Sequence, residues 1–114
     1  MSNHLLLYKR WIHELWAGEP VAEELVSDDF VGHWPARDVR GAADLAALVA
    51  EMHERLRELE FVTEVGPIID GDMLAARWIG TGATDAGPVR YIGNDILRIR
   101  DDKIVEYWVG TARA

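Results

Sequence analysis

Asp95 is the residue whose place in the sequence gives it the clearest chemical potential. It lies in the predicted strand Val89–Arg100, whose other face carries Arg90, Arg98 and Arg100. Three arginines cannot all point into a core, so the face that carries Asp95 is predicted to be the buried one. Apolar surroundings raise the pKa of a carboxylic acid, which suits it to acid–base chemistry near neutral pH.

The last strand supplies a second inward group. If Glu106 pairs with Arg98 on the outer face, alternation turns Tyr107 inward beside Asp95 and leaves Ile104 and Trp108 outside. An apolar patch on the outer sheet face is typical of a subunit interface. The sequence therefore predicts a homodimer through that face, which is lined by Trp108, Ile104, Ile96 and Ile92.

Glycines and rings on the inward face indicate a cavity. The strand around Trp78 is expected to turn Trp78 inward, because an arginine on its other face would be costly to bury. Glycine in a strand adds no packing and tends to mark a close approach. The sequence therefore predicts a hollow on the concave side, rimmed by Trp78, Tyr91 and Tyr107, onto which three glycines open: Gly80, Gly82 and Gly93.

The elements that position these residues follow from hydrophobic periodicity. Helical spacing predicts three helices, and the period then changes to two, which predicts antiparallel hairpins. Together they make an α+β domain over residues 1–114 with helices on one sheet face. Glu51 and Arg55 are spaced to form an ion pair on the wet face of the third helix. The predicted helices are 4–17, 21–26 and 42–59, residues 36–41 form a loop, and the strands are 30–34, 61–69, 73–84, 89–100 and 103–112.

Composition excludes several classes of function. The chain has 114 residues with 12 basic and 20 acidic side chains, a net charge of −8. That excess repels phosphate backbones and anionic lipid, so we expect no nucleic-acid partner and no membrane partner. It has no cysteine, and no set of His, Asp and Glu has metal-ligand spacing, so no metal is assigned. We expect a cytoplasmic protein whose partner is a small hydrophobic molecule or a second copy of itself.

Several stretches, in order, resemble the NTF2-like superfamily, and within it the SnoaL-like polyketide cyclases and ketosteroid isomerase-like proteins. They are "RWIHELWAGEP", "SDDFVGHWP", "RGAADLAALV", "MLAARWIGTG" and "GNDILRIRDDKIVEYW". The resemblance implies a cone in which three N-terminal helices pack on the concave face of a curved, mostly antiparallel sheet. It also implies chemistry without a cofactor.

Three site positions are carried over from the steroid isomerases of this superfamily. A tyrosine donor, a general-base aspartate and a protonated aspartate correspond to Trp11, His33 and Asp95 here. Histidine is a sensible base because its ordinary pKa is near neutrality. A neutral aspartic acid can donate a hydrogen bond to an enolate, as in ketosteroid isomerase. The resemblance therefore implies His33 and Asp95 as catalytic residues.

The expected function is acid–base isomerisation or aldol-type cyclisation of an apolar, carbonyl-bearing substrate in the cavity. A binding module without catalysis and an epoxide hydrolase remain the alternatives. The cyclases commonly carry an aspartate where this chain has Val109, and the epoxide hydrolases an aspartate two residues after the position of Arg77, where this chain has Ile79. The expected substrate-binding residues are Trp11, Trp34, Met52, Trp78, Tyr91 and Tyr107.

Overall fold

The computed structural model describes residues 3–114. Helix α1 is His4–Arg10 and continues as a π-helical turn over Trp11–Leu15. The other helices are α2, Ala22–Leu25, and α3, Gly41–Arg55. The strands are β1, Val26–His33; β2, Asp38–Arg40; β3, Arg57–Asp70; β4, Met73–Thr84; β5, Gly87–Arg100; and β6, Lys103–Arg113. No helix among the described residues is long and apolar enough to cross a membrane.

The six strands form one curved sheet in the order β2-β1-β6-β5-β4-β3. All neighbours are antiparallel except β1 and β6, which run parallel. The α+β architecture predicted from the sequence is therefore confirmed. We call the face that carries Trp78, Asp95 and Tyr107 the inner face, and the face that carries Arg77, Arg98 and Trp108 the outer face.

Three predicted boundaries were wrong where tertiary pairing overrides local signals. Strand β1 begins at Val26, because Val26 already pairs with Ile104 of β6. The predicted loop at 36–41 contains β2, whose three residues pair with the end of β1. Helix α3 ends at Arg55, four residues early, because Arg57 is already hydrogen-bonded in the sheet opposite Ala83.

The inner face holds the core, as the arginine argument predicts. Asp95 is 1% exposed and Leu97 is fully buried, whereas Arg90 and Arg100 are exposed. Tyr107 is buried beside them, and Glu106 lies 4.0 Å from Arg98 on the outer face.

Ile104 is an exception to strict alternation on β6. Arg98 pairs with Glu106 but Ile99 pairs with Ile104, so Val105 is an extra residue without a partner on β5. Such a bulge reverses the alternation beyond it. Ile104 therefore points into the core with no exposed surface, and its predicted place on the outer face was wrong.

Candidate active site

Asp95 is held by three hydrogen-bond donors from three separate elements. The Tyr8 hydroxyl on α1 donates to Oδ2 at 2.9 Å. The indole N–H of Trp78 on β4 donates to Oδ1 at 2.9 Å, and the Tyr107 hydroxyl on β6 donates to the same oxygen at 2.5 Å. A buried carboxyl group is costly unless it is hydrogen-bonded, and this cluster supplies the bonds.

Burial decides the pKa of Asp95. Removal from water disfavours the charged carboxylate and raises the pKa from 3.8 to about 6, although the three donors act in the opposite direction. Burial also raises the pKa of the Tyr107 hydroxyl well above its usual value, with the nearby Asp95 charge acting in the same direction. The carboxyl group can therefore gain or lose its proton near neutral pH, while the tyrosine keeps its proton.

Tyr8 is the member of this cluster that the sequence analysis missed. Trp11 was expected in the donor position, but it lies three residues further along the helix and does not bond Asp95. Its ring instead packs 4.7 Å from Tyr107 between centroids, and its N–H has no acceptor in hydrogen-bonding geometry. Tyr8 and Trp11 both belong to the buried side of the helix. Periodicity alone therefore could not say which of them faces β5.

A cavity of about 420 Å³ lies between the inner face, the π-helical turn and the end of α3. That volume is within the range of pockets that bind small molecules. Trp34, Met52, Trp78, Tyr91 and Tyr107 line it, whereas Trp11 does not. The lining is Ile12, Trp16, Trp34, Met52, Arg55, Leu56, Leu59, Phe61, Trp78, Thr84, Tyr91, Tyr107, Val109 and Thr111.

Asp95 itself does not line the cavity. The two side chains that bond its Oδ1, Trp78 and Tyr107, both do. The carboxyl group is thus behind the wall of the cavity, and a ligand would sense it through these two donors. Direct donation from Asp95 to an enolate, as the sequence analysis expected, does not fit this geometry.

His33 lies on the outer face, where its ring stacks on Trp108 at 5.6 Å between centroids. Its Nε2 is 2.7 Å from Glu106 and its Nδ1 is 3.0 Å from Asp38. These hydrogen bonds, the one to Glu106 first, raise the pKa of the imidazole. The structure therefore does not bring His33 and Asp95 together. His33 pairs with Trp108 of β6 and Asp95 pairs with Val109, and these successive residues of β6 face opposite sides of the sheet.

The glycines do not leave the hollow that was expected above them. A Cβ on Gly93 would lie 2.1 Å from Cζ2 of Trp78, and one on Gly80 would lie 2.8 Å from Cε1 of Phe61. Rings from neighbouring positions thus occupy the space that these glycines leave. The predicted hollow therefore lies elsewhere: the cavity is on the far side of the Trp78 and Phe61 rings, which pack directly on Gly93 and Gly80.

Arg77, the arginine considered for epoxide hydrolysis, is on the outer face. Its Nε donates to Glu64 at 2.8 Å. It does not line the cavity. Arg77 and Asp95 thus lie on opposite faces of the sheet.

Solved structures with the same fold define the class of protein. A proposed SnoaL-like polyketide cyclase from Jannaschia sp. CCS1 is 21% identical and superposes with a TM-score of 0.83, covering 94% of this chain and 83% of its own. IdmH from Streptomyces antibioticus, described as a proposed polyketide cyclase, is 18% identical with a TM-score of 0.82, covering 94% and 90%. A protein of ketosteroid isomerase-like fold from Catenulispora acidiphila, crystallised with trimethylamine, is 14% identical with a TM-score of 0.81, covering 91% and 83%. This is the NTF2-like α+β fold.

The sequence narrows that class to a family. Residues 8–107 match the SnoaL-like domain, so the chain belongs to the SnoaL-like domain family. No curated protein matches the sequence. The family that the sequence analysis inferred is confirmed, and so is the coarser prediction of an α+β fold with a curved sheet.

Proposed function

We propose that this protein is a cofactor-independent enzyme that closes a ring in an apolar, carbonyl-bearing molecule by aldol chemistry. The observation that carries the proposal is the 2.5 Å hydrogen bond between Tyr107, which lines the cavity, and the buried Asp95 behind it. The likeness to proposed polyketide cyclases supports the same reaction class. Isomerisation through the same enolate is the related reaction, but it needs a dedicated base.

The Tyr107–Asp95 pair acts as a proton donor in this proposal. When Asp95 is protonated, its O–H donates to Tyr107 Oη, and the tyrosine proton turns toward a carbonyl oxygen of the substrate. A pKa of about 6 makes this protonated form accessible near neutral pH. One such donor to a developing oxyanion is worth roughly 10²–10³-fold in rate.

The reaction balances without an added reagent. The enol carbon of a β-dicarbonyl substrate attacks a second carbonyl carbon, forming the new C–C bond. The carbonyl oxygen takes the Tyr107 proton, Tyr107 takes one from Asp95, and the proton lost from the enol oxygen goes to water, from which Asp95 is reprotonated. A β-dicarbonyl enolises readily, so the protein needs a donor more than a strong base.

The test uses 2-naphthol as a stand-in for the oxyanion, because its near-ultraviolet absorbance distinguishes the neutral and ionised forms. Binding to the native protein is expected to lower the naphthol pKa, and Tyr107→Phe is expected to abolish the shift. Tyr91→Phe is the matched control, since Tyr91 lines the cavity without bonding Asp95. A linear β-diketone with a further ketone placed for six-membered ring closure, nonane-2,4,8-trione, then measures turnover through the cyclic enone that forms after loss of water, which is quantified by chromatography.

A binding module without catalysis is the second candidate. It is favoured by one feature of the cavity: no Asp, Glu or His stands among the described residues that line it. Naphthol binding with neither an ionisation shift nor enone formation above buffer would support this candidate and contradict the enzyme.

We also propose a homodimer through the outer face. Ile104 is not part of this interface, because it is buried in the core. Two apolar rows cross that face: Val62, Ile79 and Ile92 in one, and Ile68, Ala75, Ile96 and Trp108 in the other. Val62 is 59% and Ile68 is 64% exposed. Sedimentation at micromolar concentration is expected to give a dimer that Ile96→Glu dissociates, and a monomeric native protein would contradict it. A cytoplasmic location belongs to the same proposal.

A further inference from the structure

One end of the cavity carries a positive charge at its rim. Arg55, the last residue of α3, lines the cavity and is exposed to solvent. The start of β3 and the ends of β4 and β6 meet at this same end of the sheet. Thr84 and Thr111, which also line the cavity, come from those ends. The rim is therefore polar, whereas the walls below it are aromatic.

Among the residues that the structure describes, Arg55 has no carboxylate partner. The sequence predicts an ion pair with Glu51, but Glu51 instead accepts a hydrogen bond from Arg37 at 2.7 Å. Within residues 3–114, no Asp or Glu oxygen lies within 4.0 Å of the Arg55 guanidinium, whereas most of the other arginines form ion pairs. In a chain of net charge −8, an arginine left unpaired beside a cavity is a local site of attraction for an anion.

The cavity is thus polar at both ends and apolar between them. Tyr107 and the buried carboxyl group behind it lie on the sheet at the level of Leu97 and Asp95, several residues from the rim along β5 and β6. Trp34, Phe61 and Trp78 supply the apolar walls. A molecule that fits this order has a carbonyl group at one end, an apolar body, and an anionic group at the other.

We propose that Arg55 selects a ligand with a terminal carboxylate, which it binds at the rim while the apolar body enters the cavity. This inference rests on the proposed function, since it names the class of substrate for the same site. Guanidinium matches a carboxylate with two parallel N–H donors, which gives orientation as well as affinity. Bound this way, the carboxylate fixes which end of the molecule reaches Tyr107.

The experiment compares 1-naphthaleneacetic acid with 1-naphthaleneacetamide, two probes of the same shape that differ in charge. Binding is measured by quenching of tryptophan fluorescence, since Trp16, Trp34 and Trp78 line the cavity. For a solvent-exposed ion pair, we expect the native protein to bind the acid roughly two- to fivefold more tightly than the amide. That preference is expected to shrink as salt is added.

The variants are Arg55→Gln and, as the control, Arg90→Gln. Arg90 is an exposed arginine near the same end of the sheet and has no ion pair within residues 3–114. Its replacement by glutamine removes the same single positive charge. Arg55→Gln is expected to remove the preference for the acid and leave amide binding unchanged, whereas Arg90→Gln retains the preference. An acid preference that survives in Arg55→Gln, or equal binding of both probes to the native protein, overturns this inference alone. Binding of neither probe overturns both this inference and the proposed function.

A merely structural role for Arg55 predicts a different result. A cation in the last turn of a helix stabilises the helix by its interaction with the helix dipole, without any ligand. In that case Arg55→Gln would lower stability and weaken both probes equally, with no change in the ratio of their affinities. The ratio is therefore the deciding readout, and unchanged ratios contradict ligand selection.

Discussion

The inner and outer faces of the sheet each hold a titratable side chain among hydrogen-bond partners, and the two differ in what controls the pKa. On the inner face, Asp95 has three donors, which favour the carboxylate, yet burial outweighs them and raises the pKa. On the outer face, His33 is about a third exposed, and its two carboxylate partners raise the pKa against a small effect of burial. Burial thus controls the pKa of Asp95, whereas the carboxylate partners control the pKa of His33.

The two groups also differ in their surroundings. The inner group lies behind the wall of the aromatic cavity, where low polarity strengthens each hydrogen bond. The outer group is part of a surface network with Glu106, Asp38 and Trp108. His33 on β1 joins three strands, because its ring bonds Asp38 on β2 and Glu106 on β6.

The largest expected effect is the loss of the buried acceptor. Asp95→Ala is expected to lower the free energy of unfolding by about 3 kcal/mol or more, since each buried donor left unsatisfied costs roughly 1–3 kcal/mol. Tyr8, Trp78 and Tyr107 all lose their acceptor. Urea denaturation measures the change, with exposed Asp70→Ala as the control. Equal losses in the two variants would contradict a stabilising role for the cluster.

The next effect is a pH dependence that sharpens the contrast in cause. Because the pKa of Asp95 is raised on folding, the folded state binds more protons than the unfolded state between pH 3.8 and about 6. The free energy of unfolding therefore falls as the pH rises through that window, by about 3 kcal/mol in total at about 1.4 kcal/mol per pH unit. Asp95→Asn is expected to remove this fall. A native-minus-variant difference that is flat across the window would show that burial does not control this group.

The packing of the two faces gives a third test. Gly93→Ala would place a methyl group 2.1 Å from the Trp78 ring, and overpacking of this kind costs about 1–3 kcal/mol. Gly110→Ala, with no atom within 4 Å of the added carbon, is expected to change stability by less than about 0.5 kcal/mol. Thermal or chemical unfolding measures both. A tolerated alanine at Gly93 would mean that the Trp78 ring is free to move.

The smallest effect is expected on the outer face. The pKa of His33 is raised in the folded state, so its contribution is full below pH 6.5 and is lost as the pH rises through the raised value. For a half-exposed pair the contribution is less than about 1 kcal/mol. His33→Gln is expected to flatten the pH dependence of the free energy of unfolding in that range. His13→Gln, at an exposed histidine, is the control for the loss of an imidazole. Loss of ligand binding in His33→Gln would instead connect this residue to the cavity.

Much of the fold could be predicted because the deciding signals are local. The turns at Gly71 and Asp101–Asp102 bound the hairpins, and the arginines of β5 fix which face is wet. The candidate site was harder, since its members come from α1, β4, β5 and β6. Tyr8 was missed because helical spacing defines a buried side of a helix without saying which strand that side meets.

The sequence by itself determined that Asp95 lies inside the domain, because alternation with three arginines leaves no other arrangement at acceptable cost. The tertiary structure decided the rest: that Tyr107 and Trp78 stand between Asp95 and the cavity, that the bulge at Val105 buries Ile104, and that Glu51 turns to Arg37 instead of Arg55. The physical reason is range. Alternation acts between neighbours along one strand, whereas bulges, partner choice and cavity walls depend on side chains that only folding brings together.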